Sequence, residues 1–227
     1  MNIRFLGHAA FALEHDGKTI LIDPFLTGNP KAAATAEEVA ADAILLTHGH
    51  GDHFGDTLDI AKRTGAPVVA ITEIADEINS DEANGVEAFD PNIGGTVEFD
   101  WGSVRLTPAF HTSTTPKGTV SPPAGLVIEF GGLTTYHLGD TALFTDLALP
   151  ARRQHIDVAL MCIGGHYTMD RFDAVVAAEL VKADRVIPCH YDTFPPIETD
   201  AQAFKSDVQG AGFAEVVVLD PGETYKA

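Results

Sequence analysis

The chain has 227 residues, of which 45% are hydrophobic and 21% charged, and these proportions are ordinary for a globular protein. Fourteen Lys and Arg stand against 33 Asp and Glu, so the net charge is −19, which disfavours nonspecific binding to nucleic acid or to anionic membranes. Apolar runs stay shorter than the ~18 residues of a membrane span, and the N-terminal residues lack the features of a signal peptide. We therefore expect one domain over residues 1–227 in a cytoplasmic protein, with Cys162 and Cys189 as buried reduced thiols.

Short strands and helices alternate along the chain, and glycine turns separate them. Asp16-Gly17 and Gly131-Gly132 each predict a β-hairpin. The predicted strands are Ala10–Glu14, Lys18–Ile22, Ala43–Thr47, Val68–Ile71, Thr96–Phe99, Leu126–Phe130, Leu133–Leu138, Arg185–Cys189 and Val216–Leu219. One predicted helix begins at Thr35, which forms a capping box with Glu38. Three more cover Phe54–Thr64, the segment around Phe172–Leu180, and Thr199–Gln209.

The two halves of the chain repeat the same signals about 115 to 118 residues apart. Gly17 and Gly132 each open a strand, which ends at Asp23 in the first half and at Asp140 in the second. Two such units bury their sheets most simply against each other. The sequence thus predicts an α/β fold in which a β-sandwich, built from two similar halves, is flanked by helices. Chance similarity of short α/β patterns is the alternative.

The motif H-x-H-x-D-H over residues 48–53 is the strongest chemical signal in the sequence. Gly49 and Gly51 allow a tight loop at a strand end, where adjacent imidazoles can converge. Three protonated imidazoles would repel one another, whereas neutral histidines that bind a divalent cation would not. The motif therefore predicts a metal site, with three solvated or capping histidines as the alternative.

This motif resembles that of the metallo-β-lactamase-fold hydrolases, and the resemblance extends over the whole chain. Later single residues carry it further, namely His111, Asp140 and His190. The similarity is closest to the compact, metal-dependent hydrolase branch related to L-ascorbate 6-phosphate lactonases, on the segments Gly7–Phe11, Ile22–Phe25, Asn92–Gly95 and Phe194–Ile197. It implies a four-layer αββα sandwich and specifies the substrate only weakly, because the fold hosts many reactions.

The resemblance also implies a dinuclear metal site. One ion would be held by His48, His50 and His111, and the other by Asp52, His53 and His190, with Asp140 between them. We expect two divalent ions per chain, with Zn first and Mn, Fe or Ni as alternatives.

Weaker candidates surround these ligands. Asp23 is expected to hydrogen-bond a ligand histidine, although an Asp-Pro turn explains it equally well. His8 is either a substrate contact at the pocket mouth or a structural histidine whose hydrogen bonds are satisfied within the fold. His166 lies at the position of the second half that corresponds to His48. Together with Asp52 it is a candidate catalytic residue, either as a proton donor or as a hydrogen-bond donor to a developing oxyanion.

The segment of residues 112–123 is long and polar and follows the proposed ligand His111. It is either a substrate-covering loop or an inert surface loop. Lys117 within it is a candidate to meet an anionic substrate.

These features predict a metal-dependent hydrolase in which a hydroxide shared by two ions cleaves a small ester, lactone or phosphoester. An iron-containing oxidoreductase of the same fold is the alternative. A nuclease would need a basic groove, and a non-catalytic binding module would be expected to lack some ligands. The expected partner is a small-molecule substrate, without nucleic acid or membrane, and a homo-oligomer is left open.

Overall fold

Two β-sheets of seven strands each form the centre of the computed structural model, which describes residues 1–81 and 83–227. The first sheet contains β1 (Asn2–Gly7), β2 (Ala10–His15), β3 (Lys18–Ile22), β4 (Ala43–Leu45), β5 (Val68–Val69), β6 (Ala88–Phe89) and β14 (Thr224–Lys226). The second contains β7 (Thr96–Phe99), β8 (Gly102–Pro108), β9 (Ala124–Phe130), β10 (Leu133–His137), β11 (Val158–Cys162), β12 (Arg185–Cys189) and β13 (Glu215–Val216). The α-helices are α1 (Gly51–Phe54), α2 (Thr57–Thr64), α3 (Thr72–Asn79), α4 (Leu149–Arg153), α5 (Arg171–Val181) and α6 (Ala201–Ala211).

The sheets repeat one topology. In the first, β1, β2 and β3 pair antiparallel, and β3 to β6 continue as parallel strands. In the second, β8, β9 and β10 pair antiparallel, and β10 to β13 are parallel. The duplication predicted from the recurring signals is therefore present in the strand order and direction.

The core lies between the sheets and under the helices. One hydrophobic cluster joins Leu13 and Leu21 of the first sheet to Leu126 and Leu160 of the second, all fully buried. Helices α2 and α3 contact the first sheet, whereas α5 and α6 contact the second. The layers are thus helix, sheet, sheet and helix, which confirms the predicted α/β sandwich.

The helix predicted to begin at Thr35 is wrong. The carbonyl of Thr35 accepts the N–H groups of Glu38 and Val39, which makes a single turn. The guanidinium of Arg63, from α2, takes the carbonyls of Ala36 and Val39, so these carbonyls have a partner without a continuing helix.

The helix predicted over Phe54–Thr64 is divided at Gly55, which has a φ of 40°. A Cβ at this position would lie 2.5 Å from the carbonyl oxygen of Pro24, so the close approach of the chain requires glycine. The carboxylate of Asp56 accepts the N–H groups of Leu26 and Thr27. The break separates the short helix α1, which carries Asp52 and His53, from α2.

In the part of the chain that the structure describes, no helix has the length and apolar character needed to cross a bilayer.

Candidate metal centre

The loops that follow four of the strands bring the predicted ligands to one end of the sandwich. His48 and His50 lie between β4 and α1, and Asp52 and His53 lie in α1 itself. The other three follow strands of the second sheet: His111 follows β8, Asp140 follows β10, and His190 follows β12. The two halves therefore supply one shared cluster, because equivalent loops open on the same edge.

The carboxylate of Asp140 lies at the centre of this cluster. Its Oδ2 is 3.1 Å from Nε2 of His190, 3.4 Å from Nε2 of His53 and 3.6 Å from Nε2 of His111. Nε2 of His48 is 4.0 Å away. Four imidazoles from distant parts of the chain thus face one carboxylate oxygen.

The side chains fall into two separate groups, and within each group the ligand atoms lie within 4.8 Å of one another. His48, His50 and His111 form the first group. Asp52, His53 and His190 form the second, and His8 lies with them. This partition is the one that the resemblance implied.

Nδ1 of His190 is buried without a hydrogen-bond partner among the described residues, and the buried Nε2 atoms of His53 and His190 have only the nearby carboxylate of Asp140, without a hydrogen bond of regular geometry. Burying an imidazole nitrogen without a partner is unfavourable, and a divalent cation accepts the lone pair of a neutral imidazole. Nitrogen and carboxylate donors in this number are the donor set of zinc and related metals. The residues present therefore fit the metal ions that the motif implies.

Asp23 fixes the orientation of two histidines from behind. The side chain is fully buried, and its Oδ2 accepts hydrogen bonds from Nδ1 of His53 at 2.8 Å and from Oγ1 of Thr47 at 2.6 Å. Because the Thr47 hydroxyl donates to Asp23, its oxygen accepts the Nδ1–H of His48 at 3.0 Å. Both histidines then present Nε2 to the cluster, which is the contact predicted for Asp23.

His8 lies behind the site and not at its mouth. It is 1% exposed, its Nδ1 is 2.9 Å from Oγ1 of Thr193, and its Nε2 is 3.2 Å from Oδ2 of Asp52. Its ring centroid is 4.1 Å from that of His190, and its backbone carbonyl accepts the N–H of that residue. Of the two roles left open for His8, a substrate contact at the mouth is therefore wrong, because the imidazole is buried against the metal-site residues.

Three residues around the cluster have left-handed backbone conformations. The φ angles are 60° for His8, 45° for Asp23 and 56° for His190. Residues other than glycine seldom adopt such angles, and the strain is retained where surrounding contacts over-determine the conformation. The hydrogen bonds of Asp23 and His8 supply such contacts.

Burial and charge set the protonation of the cluster without metal. Burial lowers the pKa values of His48, His50 and His111, so these imidazoles are neutral near pH 7. Burial also acts to lower the pKa of His53, but the carboxylates of Asp140 and Asp23 outweigh it and raise that pKa well above 6.5. Burial lowers the pKa of His8 to about 4, despite its hydrogen bond to Asp52.

A cavity of about 470 Å³ opens above the cluster, within the size range of small-molecule sites. It is lined by His50, Asp52, His111, Thr112, Asp140, Tyr167, His190 and Phe194. Sequence reasoning gave no role to Tyr167 or Phe194. The signal was their place in the chain, since each follows a strand of the second sheet as the ligands do.

His166 is exposed next to the cavity, and its ring packs against that of Tyr167 with the ring centroids 4.5 Å apart. The lining includes Tyr167 and does not include His166. The catalytic role of His166 stays a prediction.

The segment of residues 112–123 is fastened to helix α3 and does not cover the cavity. Oγ1 of Thr115 donates to Glu77, and Nζ of Lys117 lies 3.3 Å from Oδ2 of Asp81. Thr112 is the residue of this segment that lines the cavity. Lys117 does not line the cavity, and the roles of Lys117 and of a substrate-covering loop stay predictions.

Comparison with known proteins identifies relatives over the full length of the chain. A family model described as a beta-lactamase superfamily domain matches residues 2–190. A UPF0173 metal-dependent hydrolase of Geobacillus thermodenitrificans is 49% identical over 232 residues, with 100% of both chains covered. A second, from Thermococcus kodakarensis, is 48% identical over 224 residues, with 98% of each chain covered.

Among solved structures, a metallo hydrolase of the hyperthermophilic archaeon Ignicoccus hospitalis superposes with a TM-score of 0.89 at 40% identity. The match covers 100% of this chain and 98% of that one. The chain therefore belongs to the UPF0173 family of metal-dependent hydrolases, within the beta-lactamase superfamily.

Proposed function

We propose that this protein hydrolyses a small ester, lactone or phosphoester with two divalent metal ions bound at the His/Asp cluster. The observation that carries the proposal is the position of Asp140, whose Oδ2 faces the Nε2 atoms of four histidines from both halves of the fold. A carboxylate between two groups of imidazoles is the arrangement that a pair of ions can share.

The ligand assignment follows from the two groups. His48, His50 and His111 would hold one ion. Asp52, His53 and His190 would hold the other, with Asp140 common to both. When bound, the ions would supply a water whose pKa is lowered toward neutrality and positive charge for the oxygen of the substrate that becomes negative.

The protein's own residues prepare this site. Asp23 and Thr47 hold the rings of His48 and His53 with Nε2 toward the cluster. His8 contacts Asp52 and so limits the rotation of that carboxylate. Ligands held in this way need little rearrangement when metal binds, because their rotamers are already fixed.

The test combines metal quantification with a substrate screen on one preparation. We expect about two divalent ions per chain, and metal-dependent hydrolysis of at least one member of a panel of esters, lactones, phosphodiesters and thioesters. Chelation should abolish this activity, and addition of Zn²⁺ or Mn²⁺ should restore it.

Variant His111→Ala removes a proposed ligand, and His15→Ala is the matched control, because His15 is a partly exposed histidine at the end of β2 that belongs to neither proposed ligand group. The first variant should lose metal and activity, and the second should retain both. A chelated, metal-free protein that turns over at the full rate would refute the proposal.

A further inference from the structure

The wall of the cavity combines the polar metal-site residues with two aromatic side chains. Tyr167 is 54% exposed. The backbone N–H of Tyr167 donates a hydrogen bond to the carbonyl of Gly165, which holds the tight turn that carries this side chain. Phe194 is half-buried, and its ring packs edge-on against His8 at 5.7 Å. Exposed aromatic surface beside a polar centre is where the non-reacting part of a ligand gains most from leaving water.

The same wall offers no cationic side chain among the described residues that line it. Lys117, the cation that the sequence suggested for an anionic substrate, pairs with Asp81, and Nη1 of Arg171, at the start of α5, lies 2.5 Å from Oδ2 of Asp207. The net charge of −19 further disfavours the approach of anions. A carboxylate or phosphate at the far end of a substrate would therefore lose water without gaining a partner.

From this cavity we infer that the substrate is an uncharged ester or lactone whose non-reacting part is apolar or aromatic, held by Tyr167 and Phe194. The inference rests on the proposed function for the reaction and narrows it to a substrate class. It places substrates with a carboxylate or phosphate on the non-reacting part outside that class, because that charged group would face the aromatic wall.

Binding tests the inference without any turnover. Hexanamide and adipamic acid are uncleaved amides of equal chain length that end in a methyl group and in a carboxylate, respectively. Saturation-transfer NMR and competition titrations should show hexanamide binding about tenfold more tightly than adipamic acid. Equal binding, tighter binding of adipamic acid, or no binding of either compound would overturn the inference.

Variants locate the effect in the aromatic wall. Tyr167→Ala and Phe194→Leu should each weaken the binding of hexanamide several-fold. Phe172→Ala is the matched control, because Phe172 is an aromatic residue of α5 that is 62% exposed and outside the cavity lining. Equal losses in all three variants would overturn the assignment of the wall.

A reversal of charge preference is the sharpest arm of the experiment. Tyr167→Lys places a cation in the wall without altering any proposed metal ligand, so adipamic acid should now bind more tightly than hexanamide. An unchanged preference in this variant would contradict the role assigned to Tyr167.

Hydrolysis separates the two claims. With metal-loaded protein, kcat/KM should rise about fourfold per methylene from p-nitrophenyl acetate to the hexanoate, and fall for mono-p-nitrophenyl adipate. If hexanamide binds as expected but the panel is not hydrolysed, the proposed function fails and the apolar wall stands. If hydrolysis occurs and the adipate ester is the better substrate, the inference on substrate class fails and the hydrolase stands.

Discussion

Asp23 illustrates how a residue that touches no substrate controls this site. Its carboxylate is fully buried and accepts hydrogen bonds from the backbone N–H and hydroxyl of Thr47 and from Nδ1 of His53. Burial acts to raise the pKa of Asp23, but the nearby His53 outweighs it, so the pKa is lowered and the group is ionised. An ionised partner strengthens the hydrogen bond that orients His53 and makes its Nε2 a better ligand.

Replacing Asp23 with Ala should weaken metal binding about 10- to 100-fold, because His53 loses its orienting partner. Competition against a chromophoric chelator measures the affinity. Asp42→Ala is the control. Asp42 likewise accepts a backbone N–H, from Thr19, and it precedes β4, at the end of this strand opposite to the metal-site loop. Equal affinities in the Asp23→Ala and Asp42→Ala proteins would show that Asp23 does not support the metal site.

Protonation of His53 should couple metal binding to pH. Without metal, the neighbouring carboxylates hold the pKa of His53 well above 6.5, so the ring carries a proton near pH 7. The metal needs the neutral ring, so binding must release this proton, and affinity should rise with pH until that pKa is passed. His48, His50 and His111 have lowered pKa values and release none.

Calorimetric titration of Zn²⁺ in buffers of different ionisation enthalpy counts these protons. We expect at least one proton released per chain near pH 7, from His53, with a further contribution if metal-bound water ionises, and affinity decreasing toward pH 5–6. Metal uptake without proton release at pH 7 would contradict the protonated state assigned to His53.

At the scale of elements, the hairpins and parallel strands were predictable because their signals are local. Gly131-Gly132 defines a hairpin, and Arg185–Cys189 is a strand with the bounds predicted. The helix expected at Thr35 failed because Arg63, which is distant in sequence, takes the carbonyls of that turn. Long-range contacts of this kind leave no periodic signal in the sequence.

Helix α5 was predicted correctly as an element, but two of the apolar residues that indicated it are exposed and not buried. Phe172 and Val176 are 62% and 43% exposed, whereas the buried face consists of alanines and Val181. Small residues on the buried face allow the helix to pack closely on the sheet. Residue size therefore decides which face of α5 is buried, and hydrophobicity alone does not.

Helices α5 and α6 have equivalent N-caps, which permits a matched experiment. The carboxylate of Asp170 accepts the N–H groups of Phe172 and Asp173, and that of Asp200 accepts those of Gln202 and Ala203. Each change to Ala should lower the free energy of unfolding by about 1 kcal/mol, measured in urea.

The two cap variants should differ in ligand binding. Asp170 closes the turn that carries Tyr167, and its neighbour Met169 accepts the N–H of Gly165. Asp170→Ala should therefore also weaken hexanamide binding, whereas Asp200→Ala should not. Equal binding in both variants would show that the cap does not position the wall of the cavity.

For the whole molecule, the recurring signals predicted the sandwich, and the H-x-H-x-D-H motif predicted four of the residues that converge on its edge. The other three, His111, Asp140 and His190, were implied by the family resemblance. The wall of the cavity was not predictable in the same way. Tyr167 has no motif of its own, and the segment that begins at Phe194 indicated the family but no role for this side chain. Only the packing of the loops after β11 and β12 brings the two residues to one cavity. Edge strands of two or three residues, such as β6 and β14, were missed because they are too short to show alternation.

The cluster joins the two halves of the molecule, so metal should stabilise the whole fold. His48 and His50 belong to the first half, whereas Asp140 and His190 belong to the second. Ions that bind the folded chain alone add stability by mass action, about 2.7 kcal/mol at a concentration 100 times Kd. For a chain of this length, that corresponds to a rise in Tm of roughly 5–10 °C.

Thermal unfolding with and without chelator measures this difference. His111→Ala should reduce the metal-dependent shift in Tm, because its ion loses one of three histidines, whereas His15→Ala should leave the shift unchanged. A common Tm for chelated and metal-loaded protein would mean that the ions do not connect the halves. A large metal-dependent rise in Tm would therefore indicate that residues of both halves bind the ions, and not only those of the H-x-H-x-D-H motif.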